Sequence, residues 1–128
     1  MAILLKIRWE IERGRENQFR QNQERLCAVM SSDHPGVICY HVDYPTPLVS
    51  EWTEIYANDA VFKAHLDNPV GQGPLNKLIE ACGAITCRCW GNPNAETRRL
   101  LADFKPTFHE TAAGSFILHG RADRASNV

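Results

Sequence analysis

Apolar and polar residues alternate along the start of the chain. Ile3, Leu5, Ile7, Trp9 and Ile11 fall on one side, and Lys6, Arg8, Glu10 and Glu12 on the other. That period is the signature of a strand with one buried and one wetted face, and Gly14 ends it. From Arg15 to Ser31 the period becomes helical. Phe19, Gln23, Leu26, Cys27 and Met30 form one stripe, and Glu16, Arg20 and Glu24 lie opposite. Ser31 to Gly36, a run of turn-favouring residues, stops the helix. Val37 to Asp43, rich in β-branched and aromatic residues, predicts a second strand. Tyr44-Pro45-Thr46-Pro47 is expected to be a connection, because its prolines cannot donate to a ladder. Leu48 to Tyr56 predicts a third strand, hairpin-paired with the second.

Beyond it, Asn58 or Asp59 caps a short helix over Ala60 to Asp67, which Asn68-Pro69 terminates. Gly71-Gln72-Gly73-Pro74 predicts a break, with one or two helical turns from Leu75 to Cys82. Ala84 to Trp90 is a fourth strand, closed by Gly91-Asn92-Pro93, and Ala95 to Phe104 an amphipathic helix. Ser115 to Leu118 offers a further short strand in a tail without clear period.

The resulting order, β-α-β-β-α-β plus a tail, predicts an α+β, ferredoxin-like domain: a four-stranded antiparallel sheet with its helices on one face. Large apolar residues occur at both parities of the second and fourth strands, as in Ile38, Tyr40 and Val42 against Val37 and Cys39. A sheet apolar on both sides needs a second cover, so a homodimer packed sheet to sheet is expected.

Composition narrows the partners. At 128 residues one domain is expected. Fourteen Lys and Arg against fifteen Asp and Glu give a formal net charge of −1, so no global basic field recommends nucleic acid. No apolar run approaches the ~20 residues of a membrane span, and no export signal is read at the start, so a cytoplasmic protein is expected. Five cysteines, an odd count, then read as reduced thiols rather than a disulfide framework. Cys82, Cys87 and Cys89 lack the paired Cys-x-x-Cys spacing of a zinc site, so no metal is assigned.

The stretch from Glu51 to Pro69 resembles the antibiotic biosynthesis monooxygenase family. It shows a Glu-aliphatic-Tyr strand end (Glu54-Ile55-Tyr56), an acidic helix start, Phe62-x-x-His65 and a following proline; the Pro35-Gly36 turn is a further likeness. The resemblance covers residues 1–91, leaving 92–128 as a C-terminal extension. It implies a dimeric α/β-barrel with a pocket between sheet and helices in each protomer. It also implies an oxidoreductase of the cofactor-independent monooxygenase kind, acting on a small aromatic or quinol-type metabolite with molecular oxygen as co-substrate. A small-metabolite isomerase, or a non-catalytic ligand-binding or stress-associated barrel, are the alternatives on the same scaffold. Haem-degrading members pair a helix histidine with an asparagine on the first strand; Ile3 to Trp9 contains none, which argues against haem as substrate.

Within this frame the candidate catalytic residues are His65, whose pKa in water lies near neutrality, and Tyr56, as a donor to a substrate oxygen. Trp52, Glu54, Phe62 and Tyr40 are the expected substrate-contacting residues. An ionised Glu54 in a dry pocket is costly unless paired, and Lys6 or Arg8 is the expected partner. The helix stop places His34 beside the helix dipole, whereas His109 and His119 fall in the tail. Phe104 to Leu118 is expected to lie over the pocket or to cross to the partner.

Overall fold

The computed structural model describes residues 2–33 and 35–110. His34, His119 and the strand expected over 115–118 lie outside the described residues. The elements run β1 (Ile3–Ile11), α1 (Glu16–Asp33), β2 (Val37–Thr46), β3 (Val49–Tyr56), α2 (Asp59–Asp67), α3 (Pro69–Glu80), β4 (Cys82–Trp90), α4 (Ala95–Leu101), a 3-10 turn (Ala102–Phe104) and β5 (Thr107–His109). The sheet order is β2-β3-β1-β4-β5, antiparallel except for the parallel β4–β5 pair. This is the expected ferredoxin-like α+β arrangement, with one extra edge strand.

The alternation in β1 sorts the two faces. Ile3, Leu5, Ile7, Trp9 and Ile11 are buried and form one core with Phe19, Leu26 and Met30 of α1, Phe62 of α2, Leu78 of α3 and Leu101 of α4. The register puts Leu5 beside Glu54 and Cys89, and Ile7 beside Trp52 and Cys87, so β3 and β4 present these residues to the helices. All five cysteines are free. Burial pushes the Cys87 thiol up to about 12 and the Cys89 thiol up to about 11, as expected of packing residues.

Two expectations are corrected. The break over 71–74 is absent, because α3 runs unbroken through Pro74. Pro69 occupies the tolerated first turn, Asn68 caps it by accepting from the Val70 N–H, and Gly71 is buried where a Cβ would meet Leu26 Cδ1 at 3.3 Å. Gly71 thus serves the approach of α3 to α1, whereas a Cβ at Gly73 would meet nothing within 4 Å. The connection over 44–47 also yields in part to β2, which continues to Thr46. Because β2 is an edge strand, Pro45 removes no donor that the sheet needs, and the register slips between Asp43 and Thr46.

Among the described residues no helix covers the opposite face of the sheet. A depression of about 350 Å³ there is lined by Lys6, Arg8, Glu51, Thr53, Thr86 and Arg88 among others, and Arg8 donates to Glu51 at 2.9 Å. No helix among the described residues is long and apolar enough to cross a membrane.

Candidate active site

Two local rules aim the site residues. Along β3, Ser50, Trp52, Glu54 and Tyr56 alternate inward and are buried. Ahead of α2, Asn58 accepts from the Val61 N–H at 2.9 Å, and this cap fixes the helix so that Phe62 and His65, one turn apart, both point to the sheet. Tyr40 of β2 lies opposite Glu54 in the register. All six residues singled out in the sequence therefore meet between sheet and helices. Tyr40, Trp52, Glu54, Phe62 and His65 line one cavity of about 30 Å³. Tyr56 adjoins it through its hydrogen bond to Glu54 and its ring contacts.

The aromatic rings lock into each other. Tyr56 stacks on the His65 ring at 5.5 Å and 23°, and meets Phe62 edge to face at 5.1 Å. Tyr40 packs edge to face on Trp52 at 5.6 Å and on His65 at 6.0 Å. The Trp52 indole N–H is committed to Ser50 Oγ at 2.7 Å. Trp9 packs on Trp52 at 5.1 Å. Its buried N–H has no acceptor among the described residues, a cost of about 1–3 kcal/mol.

Glu54 is paired differently from the sequence expectation. Lys6 and Arg8 point to the open face, because they alternate with Leu5 and Ile7, so neither reaches Glu54. Its partner is Tyr56, whose hydroxyl donates to Glu54 Oε1. The Tyr56 hydroxyl is thus committed within the protein. Burial raises the Glu54 carboxyl to about 7, and the bond from Tyr56 only partly offsets this. Tyr56 and Tyr40 are both held well above the usual phenol range, chiefly by burial, so both stay protonated. The result is a carboxyl that gains and loses its proton near neutrality and a histidine, joined by phenols, in an otherwise apolar chamber. Among the described residues no group of three potential ligands is placed to hold a metal ion.

The extension helps to build this chamber. Leu101 and Phe104 line it, and Phe104 meets Trp9 edge to face at 6.2 Å. Asp59, at the start of α2, holds the segment by accepting from the Asn94 N–H at 2.9 Å and from Thr97 Oγ1 at 2.6 Å. Sequence reasoning missed Asp59 as a tether, since beside Asn58 it reads as a candidate cap of the short helix. His109 belongs to β5 and stacks on Trp90 at 5.0 Å, away from the chamber residues.

No protein-family profile matches the chain, and no curated protein matches it in sequence. Solved structures do. MupZ from Pseudomonas fluorescens is similar with a TM-score of 0.68 at 17% identity, covering 94% of this chain and 91% of that one. A candidate antibiotic biosynthesis monooxygenase from Caulobacter crescentus CB15 superposes with a TM-score of 0.62 at 16% identity, over 69% of this chain and 86% of that one. SnoaB, a cofactor-independent oxygenase from Streptomyces nogalater, superposes with a TM-score of 0.60 at 11% identity, over 73% and 95%. The chain therefore has the ferredoxin-like α+β fold of the structures described as antibiotic biosynthesis monooxygenases.

Proposed function

We propose that the protein is a cofactor-independent monooxygenase acting on a small phenolic or quinol-type metabolite. The observation that carries this reading is the meeting of Glu54, Tyr56 and His65 at one aromatic-walled chamber between sheet and helices. Likeness of fold to SnoaB supports it, as a cofactor-independent oxygenase on the same scaffold.

The chemistry needs one base, one acid and dioxygen. His65, from the helix side, accepts the phenolic proton. The resulting anion gives one electron to dioxygen, and the two radicals join as a peroxide on the ring carbon para to the oxygen. Cleavage of the O–O bond, with loss of the hydrogen on that carbon, leaves a carbonyl there. The second oxygen atom departs as water carrying the two hydrogens the substrate has lost. Glu54, from the sheet side and protonated in part at neutral pH, supplies a proton to that departing oxygen. Tyr56 holds the Glu54 carboxyl in place. The substrate provides all four electrons, so no reductant is consumed.

Oxygen uptake against a panel of phenols and 1,2-quinols with a free para carbon tests this. A substrate that supports uptake is expected, with His65→Ala lowering the rate by about 100-fold or more at a temperature where the variant is shown by circular dichroism to remain folded. Undiminished uptake in that variant would remove His65 from the mechanism. A second reading, an isomerase, is favoured by the same acid and base on two walls, since they can move a proton between carbons without oxygen. Turnover under argon, with deuterium exchange into the substrate, would select it.

We also propose that the open sheet face is covered by a second copy of the chain. Leu4, Ile55 and Trp90 are only partly buried there, an apolar band beside the charges of Lys6, Arg8, Glu51 and Arg88. Sedimentation equilibrium is expected to give twice the 14.5 kDa chain mass, and Ile55→Asp to give the monomer. A monomeric wild-type protein at micromolar concentration overturns this.

A further inference from the structure

The chamber of about 30 Å³ holds little more than a water molecule, whereas any phenol needs several times that space. Beside it lies a groove of about 540 Å³, formed by Glu24, Ala28, Met30 and Ser31 of α1 with Val37 and Tyr40 of β2. Tyr40 lines both spaces. Its ring is held by edge-to-face contacts with Trp52 and His65, and its hydroxyl has no hydrogen-bond partner among the described residues. It stands on β2, an edge strand whose register is irregular on both sides of it. Tyr40 is thus the side chain common to the groove and the chamber, while the wall made by Leu101 and Phe104 is pinned through Asp59.

We infer that chamber and groove form one two-part site divided by Tyr40, which takes a phenolic ring at the Glu54–His65 end and an uncharged apolar substituent of that ring along α1. This deepens the reading above and rests on it for the nature of the ring. The groove's character sets the class of substituent. Ala28, Met30 and Val37 give it an apolar floor, Ser31 and the Cys27 thiol add weakly polar edges, and the charged residue lining it is the carboxylate Glu24. A substituent ending in phosphate or carboxylate meets like charge there and no cation among the described lining residues.

The test is binding of phenol and its 3-ethyl, 3-propyl and 3-pentyl derivatives to the full chain, followed by calorimetry and by the fluorescence of Trp52 beside Tyr40. Affinity is expected to rise roughly three- to four-fold per added methylene, the gain for burying that much apolar surface, and to level off once the groove is filled. A 3-alkylphenol ending in a carboxylate is expected to bind several-fold more weakly than its neutral counterpart. Ala28→Trp, placed in the groove wall, flattens the dependence on chain length, and Ser31→Trp at an exposed position shortens the chain at which it levels off. Affinity independent of chain length overturns the inference, as does a dependence that both variants leave untouched, or a carboxylate-ended chain that binds as well as the neutral one. Oxygen uptake decides the catalytic reading separately. Chain-length dependence without uptake leaves the two-part site standing and removes the monooxygenase.

Discussion

Glu54→Gln is expected to lower oxygen uptake by two orders of magnitude or more, the usual contribution of a placed general acid, and to make the folded protein less sensitive to pH. Both effects come from one group. Burial raises its carboxyl from 4.5 to about 7, so the neutral form is the one the fold prefers. The stability it contributes is fully present below pH 4.5 and declines as the pH rises, levelling off above about 7. At about 1.4 kcal/mol per pH unit, the loss across that window is on the order of 3 kcal/mol. Gln cannot ionise and still offers an oxygen to the Tyr56 hydroxyl. Denaturant melts at pH 4.5, 6 and 8 are therefore expected to converge on one stability for the variant and to fall with pH for the wild type. In the rate, wild-type uptake falls as the pH rises through about 7, where Glu54 loses its proton, and the variant lacks that limb. Parallel pH curves for the two proteins would show that Glu54 does not titrate in this range.

Phe62→Ala is expected to cost about 3–5 kcal/mol, the range for removing a fully buried aromatic ring, and to lower the melting temperature by about 10–20 °C. Phe62 is 1% exposed, and its ring holds the edge of Tyr56. Its loss opens a void and frees the phenol that steadies Glu54. The neighbouring Lys63 is a control, since it pairs with Asp67 on the outer side of α2. Lys63→Ala is expected to leave the melting temperature nearly where it is. A Phe62→Ala protein that melts within about 2 °C of the wild type would show that the chamber wall relaxes around the loss.

The central strands and the meeting of six site residues were legible because each rests on a strict period. Burial alternates along Ile3 to Ile11 and Ser50 to Tyr56, with Leu4 and Ile55 as apolar residues on the outer face, and Phe62 and His65 are one turn apart behind a capping Asn58. Other features had no such period. Gly71, Gly73 and Pro74 carry the residue types of a turn, and only the packing of α3 on α1 turns Gly71 into a contact. β5 is three residues long and pairs in parallel with β4, the strand before it, across the α4 crossover, a pairing that local pattern cannot name. Lys6 and Arg8 match Glu54 in charge but not in face, since the register sets Leu5 beside Glu54. Their alternation with Leu5 and Ile7 already sets them on the other face. That Leu101 and Phe104 wall the chamber depends on a long-range tether, Asp59 to Thr97, for which residue types give no distance.

The place of β1 in the sheet governs the order in which the molecule can assemble. This strand, made before the other four described strands, is paired on one side with β3 and on the other with β4, so the register Ile7 to Cys87 closes a loop of most of the described chain. Contacts of such separation slow folding, and until β4 exists one edge of Ile3-Leu4-Leu5-Lys6-Ile7-Arg8-Trp9 has no partner. Lys6 and Arg8 interrupt that run with charge and guard it against pairing with other chains. Residues that line an open face in the finished protein thus have an earlier task in the nascent one, and the strand made before the other four is among the last to be completed.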